Sequence, residues 1–139
     1  MSDTIFPRSP RETMAGWVYL PRFVDKVRLH LAGKLHPDYQ PNFTKGFDEV
    51  WLTHAKVDAS EFIEVVKGTM TDGEVCDWVR AHANNTPEAR EEVRRLIIDR
   101  GINDDYSEKL ITRKKESGLE HRDDIVRFVD YIDADEKRI

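Results

Sequence analysis

Residues 58–101, DASEFIEVVKGTMTDGEVCDWVRAHANNTPEAREEVRRLIIDRG, carry three helix starts in succession and a glycine stop after the first and the last. Asp58 with Glu61, and Thr71 with Glu74, each set a capping side chain three residues ahead of a glutamate. In that pattern side chain and backbone satisfy each other's first-turn donors. Thr86-Pro87 is a third start, a capping hydroxyl followed by the residue best suited to the first helical position. Gly68 and Gly101 supply the stops. Between these marks Phe62, Ile63 and Val66, then Val75, Cys76, Val79 and Ala83, then Val93, Leu96 and Ile97 recur at spacings of three and four. The stretch therefore predicts three consecutive amphipathic helices.

The same signals extend outward. Ser9-Pro10-Arg11-Glu12 predicts a short helix ending before Gly16. Pro21 opens a second helix to about Ala32, with Phe23, Val24, Val27 and Leu31 inward, Arg22, Asp25, Lys26 and Leu29 on the other side, and Gly33 as its stop. Residues 34–43, KLHPDYQPNF, read as a loop because two prolines within five residues forbid a regular helix. A third helix resumes near Thr44, with Phe43, Phe47, Val50, Trp51 and His54 on one face. Beyond Gly101 a weaker helix spans about 105–117. A last one runs from about His121 to Asp133, with Ile125, Phe128, Val129 and Ile132 inward. The expected fold is all-α: residues 1–139 as one compact, irregular bundle of six or seven short helices.

Leu, Ile, Val and Phe form about a quarter of the 139 residues, enough for a folded core. The net charge of −5 argues against a nucleic-acid binder, although residues 1–46 carry a basic excess. No apolar run is long enough to span a membrane. The start MSDTIFPRSPRET does not read as a signal peptide. The single cysteine excludes an internal disulfide and fits a reducing compartment, so a cytoplasmic location is expected.

The phosphate-loop, dinucleotide, serine-hydrolase and zinc-protease signatures are absent from the sequence. No two of His30, His36, His54, His82 and His121 are three or four apart. Cys76 and His82, six apart, face different ways on one helix, so neither metal nor cofactor is expected. Cys76 reads as a small buried hydrophobe, and Trp17, Trp51 and Trp78 as core. Asp130, Asp133, Asp135 and Glu136 lack the spacing and glycine of a calcium loop and read as a solvated helix end.

The segment from Leu20 to Trp51 is the candidate working surface, a proline-broken aromatic loop between two helices. Its candidate ligand-binding residues are Arg22, Asp25, His30, Tyr39, Asn42, Lys45, Asp48 and Trp51. Asn42 or Thr44 can cap the following helix, and Lys45 in its first turn points to an anion there, a carboxylate or a phosphate.

Pro7-Arg8-Ser9-Pro10-Arg11-Glu12, Gly16-Trp17, Leu20-Pro21-Arg22, the run YQPNFTKGFD over 39–48 and the ending Asp133-Ala134-Asp135-Glu136 resemble a bacterial family of small proteins catalogued only as a domain of unknown function. The resemblance covers nearly the whole chain. It implies a stand-alone bacterial cytosolic protein and supplies no reaction, cofactor or catalytic residue. Two readings lead, ahead of a nucleic-acid or ribosome-associated factor using the basic N-terminal third, which the net charge of −5 weighs against. One is a helical binding or adaptor protein that meets a protein partner through the Arg22–Trp51 surface. The other is a small enzyme or ligand-binding protein with an anion-accepting pocket between the second and third helices. Homodimerisation is compatible with both. The sequence does not decide between catalysis and binding.

Overall fold

The computed structural model describes residues 5–102 and 104–139. A short hairpin, β1 (Thr13–Met14) and β2 (Trp17–Val18), precedes α1 (Leu20–Leu31). A 3₁₀ helix (Pro37–Asn42) follows, then α2 (Phe47–Ala55), α3 (Ala59–Lys67), α4 (Asp72–His82), α5 (Pro87–Ile98), α6 (Ser107–Glu116) and α7 (Phe128–Asp135). The helical class expected from the sequence is the class observed.

The caps form as their chemistry dictates. The Asp58 carboxylate accepts the amides of Ser60 and Glu61. Thr71 and Glu74 close a reciprocal capping box, and the Thr86 hydroxyl accepts the Ala89 amide. The expected helix at Ser9–Glu12 is a single turn instead. The Ser9 hydroxyl accepts the Arg11 amide and the Ser9 carbonyl accepts the Glu12 amide, after which the chain extends into β1. Ala15 and Gly16 both take positive φ, the geometry of a two-residue hairpin turn, and pair Met14 with Trp17.

Helix α2 begins at Phe47 rather than near Thr44, because Thr44 and Gly46 adopt positive φ. The loop over 34–43 holds the 3₁₀ helix, its prolines blocking only the α form. Helix α7 begins at Phe128 rather than His121, because the Asp130 carboxylate accepts the amides of Val126 and Arg127 and fixes the first turn there.

The core is aromatic at its centre. Trp17, Phe23, Trp51 and Phe62 are fully buried, with neighbouring ring centroids 4.9–5.9 Å apart. Val24, Val27, Val66, Val75, Val79, Val93 and Ile97 surround them. Each such side chain removed from water contributes about 1.5–3 kcal/mol before the entropy of ordering it. A second, smaller cluster gathers Leu110, Ile125 and Ala134 between α6 and α7. Leu31, expected inward, is exposed, whereas Arg22 and Lys26, expected outward, are buried. Cys76 is a free, buried thiol. No described helix is long and apolar enough to cross a membrane.

Candidate functional site: a buried charge network and an arginine-lined cleft

The buried face of α1 carries two ion pairs. Both Nη atoms of Arg22 donate to the Glu136 carboxylate, at 2.9 and 2.7 Å. The Tyr39 hydroxyl donates to the same carboxylate at 2.6 Å, and Arg138 adds a further donor. One turn along α1, Lys26 Nζ lies 2.9 Å from Asp48, which is wholly buried on α2. Asp48 also accepts the Tyr19 hydroxyl and, at 2.8 Å, the Thr44 amide. Tyr19 holds a left-handed backbone, a strained conformation for a bulky residue. Its amide donates to the Glu12 carbonyl, so the strained link between β2 and α1 is tied at both ends.

The environment perturbs several of these groups. Burial pulls the Lys26 ammonium below its ordinary pKa, with Asp48 opposing the shift. Burial raises Tyr19 and Tyr39, and the carboxylates beside them, Asp48 and Glu136, add to it. Burial works to raise Glu136, but Arg22, Tyr39 and Arg138 outweigh it and hold the carboxyl below its ordinary value.

The acidic C-terminal end is therefore not the solvated helix end that the sequence predicts. Asp130, Asp133 and Glu136 are buried and met by arginines, and only Asp135 of the four is exposed. Arg11 pairs with Asp130 and, at 2.8 Å, with Asp133, which also accepts the Ser9 hydroxyl and Arg138. Arg8 grips Asp25 with two bonds and reaches Asp72, where Arg28 joins at 2.8 Å.

The eight residues expected to form a site are thus dispersed. Arg22 and Tyr39 meet at Glu136, Asp48 faces Lys26, and Asp25 faces Arg8. Trp51 lies in the core, its buried indole N–H without an acceptor among the described residues. His30, Asn42 and Lys45 are exposed, His30 stacking on Phe43. The Thr44 amide meets the carboxylate of Asp48, ahead of the α2 start. The Lys26–Asp48 pair bridges α1 and α2, where a pocket was expected. Within the Arg22–Trp51 segment Arg22, Asp48 and Trp51 are buried, and the exposed candidates are His30, Asn42 and Lys45. Among the described residues, no group of three or more His, Cys, Asp or Glu side chains is placed to hold a metal.

A more open site lies on the other side of the hairpin. A cleft of about 540 Å³ separates the hairpin from α5, with Arg11, Gly16 and Val18 on one wall and Arg90, Arg94 and Ile98 on the other. Its lining holds three arginines against one glutamate, Glu91, an excess of +2 on a chain of net −5. Arg11 is held by α7, and Arg94 pairs with Glu91 at 2.8 Å. Arg90 has no carboxylate in ion-pair reach among the described residues, and its guanidinium lies over the bare Cα of Gly16. A Cβ built on Gly16 would sit 2.5 Å from Arg90 Nη1, so this close approach needs the glycine as much as the turn does. None of the eight expected residues lines this cleft. The signal for it in the sequence is the four-residue spacing of Arg90, Arg94 and Ile98 on one helix face.

No curated protein matches the chain. Residues 4–138 match a family described as a domain of unknown function, and among the residues whose pattern carries the resemblance, Arg11, Arg22 and Tyr39 bond to carboxylates of the last segment, Arg22 and Tyr39 to Glu136. The chain belongs to the family described as Domain of unknown function (DUF5069).

Proposed function

We propose that this protein binds a small organic anion in the cleft between the hairpin and α5, with Arg90 as the principal anion contact. The observation that carries the reading is the position of Arg90. Its guanidinium faces an open cleft without a carboxylate partner among the described residues, in a lining of positive excess. A planar guanidinium presents a fork of donors that matches a carboxylate or phosphate with two bonds. The charge network places its cations differently: Arg22 and Lys26 are buried against Glu136 and Asp48 and are already neutralised there. We further propose a bacterial cytoplasmic setting, which the sequence resemblance and the single unpaired cysteine support.

The test is an amide-resolved NMR titration of the full chain with inorganic phosphate and with acetate at constant ionic strength. The expected result is a set of saturable shifts centred on Gly16 and Arg90 that is lost in Arg90→Gln. Shifts centred on Thr44 and Lys45, or shifts unchanged in Arg90→Gln, would overturn the reading.

A further inference from the structure

Resting on the assignment of the cleft as an anion site, we infer that its ligand is a free amphiphile, an oxyanion head joined to an aliphatic tail. The argument comes from how charge and apolar surface are ordered along the cleft. Arg90, Arg94 and Ile98 follow one another at four-residue steps, so Arg90 and Ile98 stand about 12 Å apart along the α5 axis. On the facing wall Gly16 forms the hairpin turn beneath Arg90, and Val18 lies two residues further along β2, about 7 Å away.

The unpaired positive charge therefore sits at one end. Away from it the charges are met internally: Arg94 by Glu91, and Arg11 by Asp130 and Asp133. Beyond the head the cleft wall holds the part-exposed side chain of Ile98, beside Thr13 and the 7% of Val18 that the core leaves uncovered. A phosphate ion has the bulk of a few water molecules, at ~30 Å³ each, and fills only a fraction of the cleft. A bare anion would leave the apolar wall wet, whereas a tail laid along it gains the hydrophobic term. A second anionic group at the far end would find Arg11 already bonded to Asp130 and Asp133.

Lipid in a bilayer could present the same chemistry as a monomeric amphiphile. The net charge of −5 disfavours approach to an anionic membrane surface, and the site is a recess rather than an exposed apolar face, so the occupant is the single molecule.

The experiment is calorimetric titration of the unaltered full chain with inorganic phosphate, butyl phosphate and octyl phosphate, each below its micelle concentration. A fully buried methylene tightens binding about fourfold. Octyl phosphate is therefore expected to bind at least tenfold more tightly than butyl phosphate, and butyl phosphate more tightly than phosphate itself. Ile98→Ala is expected to reduce the gain from the tail. If all three ligands bind within twofold of one another, the amphiphile inference is overturned and the anion site stands. If none binds, the anion site itself is refuted. A parallel sedimentation with vesicles containing a phosphomonoester lipid is expected to leave the protein in the supernatant. Sedimentation with the vesicles, together with no binding of octyl phosphate, would overturn the free amphiphile in favour of a membrane surface.

Discussion

Replacing Glu136 by Gln removes the charge at the centre of the buried network and almost none of its volume. In the native protein the Glu136 carboxylate is 5% exposed and accepts both Nη atoms of Arg22, the Tyr39 hydroxyl and Arg138. Arg22 is itself only 4% exposed and would stay behind as a buried cation. Removing one partner of a buried ion pair costs about 3–5 kcal/mol, because the other charge is left without its counter-ion. Two features put Glu136→Gln at the lower end of that range. The amide keeps one acceptor oxygen, and Arg22 also donates to the carbonyl of Arg8 at 3.1 Å. The expected loss is about 3 kcal/mol, from a total of about 5–15 kcal/mol for a domain, so the variant still folds. Urea unfolding followed by tryptophan emission reads it directly, since Trp17 and Trp51 are fully buried. With a slope of about 2 kcal/mol/M, the midpoint falls by about 1.5 M. Arg22→Met is the internal control. It leaves Glu136 with Arg138 and Tyr39, and the expected loss is smaller. A loss below about 1 kcal/mol for Glu136→Gln, or a larger loss for Arg22→Met, would refute this account of the network.

Lys26→Met leaves Asp48 buried with only the Tyr19 hydroxyl and the Thr44 amide, and a loss of about 3 kcal/mol is expected in a thermal melt. Gly16→Ala puts a Cβ into a left-handed position and against Arg90, so both the urea midpoint and phosphate affinity should fall. Gly33→Ala, also at positive φ but in open space, should lower only the midpoint. Thr71→Ala removes one half of the α4 capping box and should cost about 1 kcal/mol in the same assay. Acid should destabilise the protein in a defined window. Glu136, Asp72 and Asp130 lie below their ordinary values of 4.5, 3.8 and 3.8, so the unfolded chain takes up protons first as pH falls. Their contribution is complete above about pH 4.5 and is lost as pH drops through the lower folded values, which urea midpoints measured between about pH 6 and pH 3 will show.

The helices were legible where the sequence carries its own punctuation. Asp58, Thr71 and Thr86 cap as their side chains require, and the apolar residues between them turn inward. The errors came where a short polar side chain serves two structures equally well. Ser9 followed by Pro10 and Glu12 fits a helix start, but the Ser9 hydroxyl closes one turn and also donates to Asp133, 124 residues away. Nothing local to residues 9–12 records that partner. At α7 the same ambiguity moved the helix start by seven residues, because the side chain that fixes it, Asp130, lies inside the helix. The eight candidate residues share a related limit. Periodicity sorts α1 into an apolar and a polar face and assigns the polar face to water, whereas Arg22 and Lys26 on that face are met by carboxylates from Glu136 and Asp48.

Those distant partners also explain how the cleft acquires its shape. An apolar contact tolerates sliding, but an arginine holding a carboxylate with two bonds has one low-energy geometry. Arg22 on Glu136 and Arg8 on Asp25 therefore set where the first and last segments of the chain lie against α1. Arg11 belongs to both systems: it lines the cleft, and it binds Asp130 and Asp133 on α7. The wall that faces α5 is only two short strands, too little to hold a position by its own hydrogen bonds. Its anchors are the Tyr19 hydroxyl on Asp48 at one end and the Arg11 and Ser9 contacts with α7 at the other. The charge buried beneath the hairpin thus positions Gly16 under Arg90, and the internal neutralisation of Arg11 leaves Arg90 as the cleft's available cation among the described residues.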